Sequence, residues 1–102
     1  MIKTIVKLYE RACDKGFARI NGRYEGYGTL EEKYSVEVDD QRVTLKHWGT
    51  TTLIINGSNI EYWYGQSKSD ADSMNTLLRL LDIDGKFRFF PSRYEFVFEG
   101  GN

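Results

Sequence analysis

Residues 34–64 read YSVEVDDQRVTLKHWGTTTLIINGSNIEYWY, and this stretch decides the fold. Apolar and polar residues alternate along its first half, which is the pattern of strands with one buried face. The alternating positions are Tyr34, Val36 and Val38 in the first predicted strand and Val43, Leu45 and His47 in the second, antiparallel strand. Residues 50–55 are rich in β-branched side chains, and residues 60–64 predict a fourth strand. With turns at residues 39–41 and at Asn56-Gly57, the stretch predicts a four-stranded antiparallel meander.

The segment before the meander begins with a predicted amphipathic helix. Apolar residues recur at the spacing of one helical face, at Ile2, Ile5, Val6, Tyr9, Ala12 and Cys13. Gly16 is placed to end this helix in the left-handed conformation. Residues 17–29 then break the periodicity, and Asn21-Gly22 offers a tight turn. We interpret residues 17–29 as either a short hairpin or a loop, and the sequence leaves both open.

The segment after the meander predicts a second helix and two closing strands. Ser69 is the predicted N-cap, with Asp70 and Asp72 in the first turn, where the helix dipole favours negative charge. The apolar stripe of this helix consists of Ala71, Met74, Leu77, Leu78 and Leu81. Residues 86–90 and 94–98 predict strands around a turn at Pro91, and Tyr94, Phe96 and Phe98 share one face of the second strand.

The length and the charge of the chain limit the classes of protein to which it can belong. The chain has 102 residues, with 14 Lys plus Arg against 15 Asp plus Glu, for a formal net charge of −1. This length predicts one domain over residues 1–102. The charge balance argues against a strongly basic nucleic-acid binder and against a strongly acidic mimic. No apolar run approaches the ~20 residues that cross a bilayer, and no signal-peptide pattern opens the chain, so we expect a cytoplasmic protein without a membrane partner.

These elements together predict an α+β fold. We expect an antiparallel sheet of about five to six strands with two helices packed on it, in the order α-β-β-β-β-α-β-β. The chain holds no internal repeat, linker or low-complexity segment.

Residues that could carry catalysis are few. His47 is the only histidine, so no multi-histidine metal site can form within one chain, and its alternation with Leu45 predicts a packed or hydrogen-bonded ring. Cys13 is predicted to be a small buried residue near the helix C-terminus, where the dipole disfavours a thiolate. Asp70 and Asp72 are explained by helix capping, and Asp82 and Asp84 by a turn, so none of them requires a metal. A calcium loop here would place Leu80 and Pro91 at positions that require carboxylates. We expect no cofactor and no enzymatic activity.

Two features favour binding. The first is a row of cations at four-residue intervals, Lys3, Lys7, Arg11 and Lys15, opposite the apolar stripe of the first helix. Residues 1–23 carry six basic and two acidic groups, whereas residues 24–40 carry six acidic groups and one Lys. The second is a surplus of aromatic residues, 15% of the chain, including Tyr62, Trp63 and Tyr64 in succession. A solvated helix face and a packed core are the plain explanations of these two features.

One resemblance can be drawn from three segments. The sequence His47-Trp48-Gly49-Thr50-Thr51, then Tyr62-Trp63-Tyr64-Gly65, then Ser69-Asp70 opening a leucine-rich helix, resembles small uncharacterised proteins of phages and mobile elements of Gram-positive bacteria. No activity comes with this resemblance. It implies a setting in which small proteins bind host machinery stoichiometrically, as anti-CRISPR and other anti-defence inhibitors do.

Two functions from different classes follow. The first is a non-enzymatic binding protein that inhibits or modulates a host protein or ribonucleoprotein, with Lys3, Lys7, Arg11 and Lys15 as polar contacts and Trp48, Tyr62, Trp63 and Tyr64 as anchors. The alternative is a module that binds single-stranded nucleic acid on an aromatic sheet face flanked by Lys86, Arg88 and Arg93. A homodimer through an exposed sheet edge is compatible with both functions.

Overall fold

A computed structural model of the protein describes residues 2–23 and 30–100. Within these residues the chain forms two helices and seven strands, and the predicted α+β class is confirmed. In chain order they are α1 (Lys3–Lys15), β1 (Phe17–Arg23), β2 (Leu30–Asp39), β3 (Arg42–His47), β4 (Thr50–Asn56), β5 (Asn59–Trp63), α2 (Lys68–Leu80), β6 (Lys86–Phe90) and β7 (Glu95–Glu99). The order therefore contains one strand more than expected, and that strand is β1.

The strands form two antiparallel sheets. Strands β1 to β5 lie side by side in chain order, while β6 and β7 pair as a separate hairpin. In the five-stranded sheet Ala18, Val36, Leu45 and Leu53 are cross-strand neighbours and all are buried. Phe17, Glu37, Thr44, Ile54 and Tyr62 form the neighbouring cross-strand row on the opposite face. We call this second face, which is turned away from the core, the open face.

Strand β1 resolves part of the stretch that the sequence left open. Residues 17–23 pair with β2 as a strand, and residues 24–29 lie outside the described residues. Asn21 and Gly22 are within β1 and do not form the expected turn; the register shifts between Ile20 and Asn21 instead. A β-bulge of this kind absorbs one extra residue without ending the strand.

Helix α1 packs on β1 and β2 through Ile5, Leu8 and Ala12. Gly16 ends the helix with φ +88°, as predicted, and its N–H donates to the carbonyl of Ala12 at 2.7 Å. Cys13 is exposed, so the prediction of a buried cysteine is wrong. The reason is helical geometry: Cys13 follows the buried Ala12 by one residue, and a 100° turn carries it off the buried face.

Helix α2 lies between the two sheets. Four of the five residues of the predicted stripe, Ala71, Met74, Leu77 and Leu78, are buried, while Leu81 is the half-buried C-cap beyond the helix. The N-cap is Ser67, whose Oγ accepts from the Asp70 N–H at 3.1 Å, so the prediction of Ser69 as N-cap is wrong. Ser67 satisfies the cap because it is three residues before Asp70, the distance at which a cap oxygen reaches an unpaired N–H.

The β6–β7 hairpin is bound to α2 and to the end of the large sheet. Asn75 of α2 donates from Nδ2 to the Phe87 carbonyl at 2.9 Å and accepts from the Phe87 N–H at 2.7 Å. The Phe87 ring is 1% exposed and contacts the ring of Trp63, with 5.4 Å between centroids. A side chain at Gly65 would collide with the ring of Phe96, so the hairpin approaches the sheet where glycine leaves room.

Candidate functional site

The predicted cations lie together on the outer side of α1. Lys3, Lys7, Arg11 and Lys15 are all exposed, and none forms an ion pair with any residue in 2–23 or 30–100. We call these four residues the basic row. Glu10 and Asp14 are also exposed, each three residues after a cation of the row, which places them on the same side of the helix. The exposed face of α1 therefore carries charges of both signs with a cationic excess.

The acidic segment of the sequence does not form a matching acidic surface. Among its described residues, Glu32 pairs with Arg19 at 3.7 Å across β1 and β2. Asp39 is the cross-strand neighbour of Arg42, which itself pairs with Glu61 at 3.2 Å. Folding thus mixes the two charge blocks that are separate along the chain.

The predicted aromatic anchors separate into different surroundings. Tyr62 lies on the open face opposite Ile54 and is 45% exposed. Trp63 lies on the other face, where its ring packs on Phe87 and Phe96. Tyr64 is exposed, and its hydroxyl lies 3.3 Å from Oε1 of Gln66. We call Tyr62, Trp63 and Tyr64 the aromatic edge, because β5 pairs with β4 alone at the border of the sheet.

The basic row and the aromatic edge lie toward opposite borders of the five-stranded sheet. Helix α1 packs on β1 and β2, whereas β5 is three strands beyond β2. Neighbouring strands are about 4.8 Å apart, so the two groups are separated by roughly 15 Å or more. The residues predicted as one site therefore form two surfaces.

The described residues also form a cleft that the sequence did not predict. It has a volume of about 620 Å³ and lies among the β3–β4 turn, the start of α2 and the tip of the β6–β7 hairpin. Trp48 and Tyr64, two of the predicted anchors, line it. Its other lining residues are Glu31, Lys33, His47, Thr50, Thr52, Gln66, Ser67, Ser69, Asp70 and Tyr94. We call it the His47 cleft.

A buried hydrogen bond holds the His47 ring in this cleft. Nδ1 of His47 lies 2.6 Å from Oδ1 of Asp70, and the two side chains are 9% and 8% exposed. Oδ2 of Asp70 accepts from the Gln66 N–H at 3.0 Å. Burial of Asp70 acts to raise its pKa, but hydrogen bonds from His47, Gln66 and Ser67 outweigh burial and leave the pKa below its usual value. Asp70 is therefore an anchor for His47 in addition to a first-turn acid.

Aromatic rings and a cation surround His47. The His47 ring stacks on Tyr34, with 4.3 Å between centroids and 7° between planes, and its centroid is 5.8 Å from that of Trp48. Nζ of Lys33 lies 5.9 Å from the centroid of the Tyr34 ring. Burial raises the pKa of Tyr34, with help from the charge of Asp70 and against a hydrogen bond with Ser73. The phenol is therefore held in its neutral form.

The second ring nitrogen of His47 opens into the cleft. Nε2 has no hydrogen-bond partner among residues 2–23 and 30–100. Every fully buried side-chain nitrogen or oxygen in these residues does have a hydrogen-bond partner, so Nε2 is not fully buried. Nε2 is therefore reachable by solvent. Because Asp70 holds Nδ1, Nε2 accepts a hydrogen bond when the ring is neutral and donates one when the ring is protonated.

Two aromatic residues of the cleft adopt an uncommon backbone conformation. Trp48 has φ +52° and Gly49 φ +80°, which together form the two-residue β3–β4 turn with positive φ at both positions. Tyr94, at the tip of the other hairpin, has φ +48°. Bulky residues rarely occupy the left-handed region, and such residues concentrate at functional sites. Both rings line the His47 cleft.

Sequence reasoning missed the cleft because its parts are distant along the chain. The structure agrees with the prediction that His47 is a packed, hydrogen-bonded ring, but its partner is 23 residues away on α2. Asp70 had a sufficient explanation as a first-turn acid. The Trp48-Gly49 dipeptide was the one local signal, since a two-residue turn with a terminal Gly places the preceding side chain in a fixed direction.

Three further findings bear on function. No group of three or more His, Cys, Asp or Glu side chains comes together in the described part of the chain. Neither of the two described helices is long and apolar enough to cross a membrane. No protein-family model, no curated protein and no solved structure matches this chain, so its functional interpretation depends on its own residues.

Proposed function

We propose that this protein is a non-enzymatic binding protein that recognises a protein partner through its aromatic edge. The observation that carries the proposal is the position of three consecutive rings at the end of a border strand, with Tyr62 and Trp63 on β5 and Tyr64 directly after it. Tyr62, Trp63 and Tyr64 are 45%, 39% and 43% exposed, and among the strands that the structure describes β5 is hydrogen-bonded to β4 alone. A border strand offers unpaired N–H and C=O groups to a partner, and exposed Tyr and Trp side chains are frequent interface anchors.

Within the aromatic edge the three rings have different roles. Trp63 packs on Phe87 and Phe96, so it supports the fold as well as any interface. Tyr62 and Tyr64 make no ring contact with described residues, and they are therefore the proposed anchors. Their rings bring a large apolar area and a hydroxyl that can bind a polar group of the partner.

The basic row provides a second, electrostatic contact. Its four cations have no intramolecular ion pairs within the described residues and so are available to a partner. Glu10 and Asp14 interrupt the row, and such a mixture favours an acidic protein surface or a ribonucleoprotein over bare nucleic acid. Charges at the rim of an interface act mainly on the rate of association.

The setting proposed for this binding is inhibition of a host component in the cytoplasm. Its support is the resemblance to small phage and mobile-element proteins, whose expected mode of action is stoichiometric contact. A protein of 102 residues can cover an active or recognition surface of about 800 Å² without catalysis of its own.

The single-stranded nucleic-acid alternative has less support in the geometry. Arg88 and Arg93 lie on the β6–β7 hairpin, apart from the large sheet. Arg88 pairs with Glu99 at 3.5 Å, and Arg93 pairs with Glu95 at 3.8 Å and stacks over Phe90. Cations that already neighbour carboxylates bind phosphates poorly, because each phosphate contact must displace an attraction within the protein.

The test is affinity capture from host lysate with and without nuclease, followed by binding kinetics with the recovered partner. We expect one protein partner that survives nuclease. The double variant Tyr62→Ala/Tyr64→Ala should weaken its affinity by about 30-fold or more, as loss of interface anchors does. Lys7→Ala/Arg11→Ala should slow association by about tenfold at low salt, with a smaller effect at high salt.

Phe17→Ala is the matched control, because Phe17 is an equally exposed ring on the open face but at the opposite border of the sheet. It should bind as the unchanged protein does. Loss of every partner on nuclease treatment would favour the nucleic-acid alternative. Equal binding by the tyrosine variant and the control would contradict the proposed function. A homodimer held by the aromatic edge would instead appear as self-association of the purified protein, which the tyrosine variant would abolish.

A further inference from the structure

The His47 cleft has the size and lining of a small-ligand site, and it is distinct from the basic row. Its volume of about 620 Å³ is within the range of ligand pockets. Aromatic walls and a few convergent polar groups are the usual composition of such pockets. The lining contains three exposed or half-exposed rings, Trp48, Tyr64 and Tyr94, together with hydroxyls, one ammonium and one imidazole.

Hydrogen-bond donors collect at one end of the cleft. The first four N–H groups of a helix have no helical acceptor. At the start of α2 these are the N–H groups of Ser67, Lys68, Ser69 and Asp70, of which Asp70 N–H donates to the Ser67 Oγ. The N–H groups of Lys68 and Ser69 have no acceptor among the described residues, and Ser69 lines the cleft together with Lys33. Such an arrangement suits an anion.

A second observation points to a ligand independently of the helix. The His47 side chain is nine-tenths buried, and yet its Nε2 has no partner among the described residues and opens into the cleft. Asp70 and Tyr34 hold the ring in one orientation, so Nε2 keeps a fixed position where a ligand can replace solvent. Nε2 can bind either a donor or an acceptor on a ligand, according to its protonation.

The carboxylates of the cleft do not prevent anion binding. Both oxygens of Asp70 accept hydrogen bonds from within the protein, one from His47 and one from Gln66. Glu31 is exposed at the rim, where solvent screens it, and Lys33 of the same strand offsets its charge. Glu31 and Lys33 both line the cleft, and neither forms an ion pair with another described residue, so Lys33 is the cation available to an anion there.

The aromatic walls specify the other half of the ligand. Trp48 and Tyr94 adopt left-handed backbone conformations that are costly for bulky residues, and both conformations present a ring to the same space. A flat ring system stacks on such side chains with a gain that depends little on its identity.

We propose that the His47 cleft binds a nucleotide, with its phosphate at the start of α2 beside Ser69 and Lys33 and its base against the aromatic wall of Trp48 and Tyr94. The nucleotide is either free or the 5′-terminal residue of a single strand, and both sources present the same chemistry. This site is independent of the aromatic edge's role in protein recognition, apart from Tyr64, which borders both.

The experiment is a nuclear magnetic resonance titration of the ¹⁵N-labelled full chain. The probes are AMP, GMP, CMP and UMP in separate titrations, with adenosine and inorganic phosphate as the two halves of the ligand. We expect a nucleotide to shift the amide signals of Lys68 and Ser69 and the indole signal of Trp48. Its affinity should be at least about tenfold higher than that of adenosine or of phosphate, because stacking and anion binding both contribute.

Two variants test the phosphate end without disturbing the packed His47–Asp70 pair. Lys33→Met and Ser69→Ala change exposed side chains, and each should weaken nucleotide binding by about three- to tenfold while leaving adenosine binding unchanged. Lys46→Met is the control, since Lys46 is an exposed lysine on the open face, and it should have no effect. A 5′-phosphorylated dinucleotide that binds more tightly than the mononucleotide assigns the site to a strand end, and equal binding assigns it to the free nucleotide.

The proposal is overturned if none of the four nucleotides at about 10 mM shifts these signals, a concentration that would reveal even millimolar affinity. It is also overturned if adenosine binds as tightly as AMP, or if nucleotide shifts map to the basic row. These outcomes are separate from the protein-partner test, because they use the purified chain alone.

Discussion

At the scale of single residues, Asp70 connects the fold to the His47 cleft. Its carboxylate is almost fully buried, binds the His47 ring and accepts the Gln66 N–H, while its own N–H is bound by the cap residue Ser67. A buried carboxylate is unfavourable unless its hydrogen bonds are made, and here each of its two oxygens has a partner. Asp70 thereby fixes both the start of α2 and the orientation of His47.

Replacing Asp70 by Asn should destabilise the protein in a pH-dependent way. Loss of a charge-assisted, buried hydrogen bond should lower the free energy of unfolding by about 1.5–3 kcal/mol at about pH 5. The native pKa of Asp70 is lower than its ordinary value of 3.8, so folding favours the ionised form. The stabilisation is therefore complete above that ordinary value and is lost as the pH falls through the lower native pKa.

Urea denaturation of both proteins between about pH 5 and about pH 2 measures this effect. The difference in unfolding free energy should be constant at the upper end and shrink at the lower end. Asp72→Asn is the control, because Asp72 is half-exposed and forms a surface pair with Lys68. A difference that grows on acidification would show that the pKa of Asp70 is not lowered by folding.

At the scale of elements, helix α2 joins α1, the large sheet and the β6–β7 hairpin. It packs on α1, on β4 and on β6, and its Asn75 and Thr76 side chains bind the backbone of Phe87 and of Ile2. The start of this helix is also one wall of the His47 cleft. The residue that caps it therefore affects both stability and the shape of the cleft.

Ser67 and Ser69 should respond differently to alanine substitution. Ser67→Ala removes the oxygen that accepts from Asp70 N–H and should cost about 1 kcal/mol of unfolding free energy. Ser69→Ala changes an exposed hydroxyl inside the first turn and should change stability by less than about 0.5 kcal/mol. Chemical denaturation of the two variants decides which serine is the cap, and equal losses would contradict the assignment to Ser67.

The comparison of these serines shows how far sequence reasoning extends. Hydrophobic periodicity located α1, α2 and the strands β2 to β7, because alternation and helical spacing are local properties. It did not locate β1, because the apolar residues Phe17, Ala18 and Ile20 do not alternate regularly with polar ones. The choice between Ser67 and Ser69 as N-cap required the three-dimensional structure, because serine is a favourable N-cap residue and the two serines are only two residues apart.

The candidate site was less accessible to sequence reasoning than the fold. The exposed positions of the basic row followed from helical spacing, and so did their location on one side of α1. The separation of that row from Tyr62, and the meeting of His47 with Asp70, depend on strand order and on the packing of α2. Such long-range contacts leave no pattern in a single sequence.

At the scale of the whole molecule, two sheets share one core through α2 and the Phe87 ring. Phe87 is buried against Trp63 of the large sheet and against Phe96 and Phe98 of its own hairpin. The hairpin has few residues and would not be stable alone. We therefore expect the hairpin and the large sheet to unfold together.

Phe87→Ala should lower the free energy of unfolding by about 3–5 kcal/mol, a large part of the stability of a small domain. Phe90→Ala is the matched control, because Phe90 lies on the outer side of the same strand beneath Arg93 and should cost less than about 1 kcal/mol. Thermal unfolding followed by near- and far-ultraviolet circular dichroism should give coincident single transitions. Two separated transitions would show that the hairpin unfolds by itself.

The close approach of Gly65 to Phe96 has a consequence for how this sequence can vary. A side chain at position 65 fits only where position 96 carries a residue smaller than phenylalanine. The size of the residue at position 96 therefore limits the residue at position 65, although the two are 31 residues apart in the chain. In any set of variants selected for folding, a substitution at position 65 should therefore be accompanied by a smaller residue at position 96. The pair is a two-residue signature by which a distant chain with this same hairpin docking could be recognised.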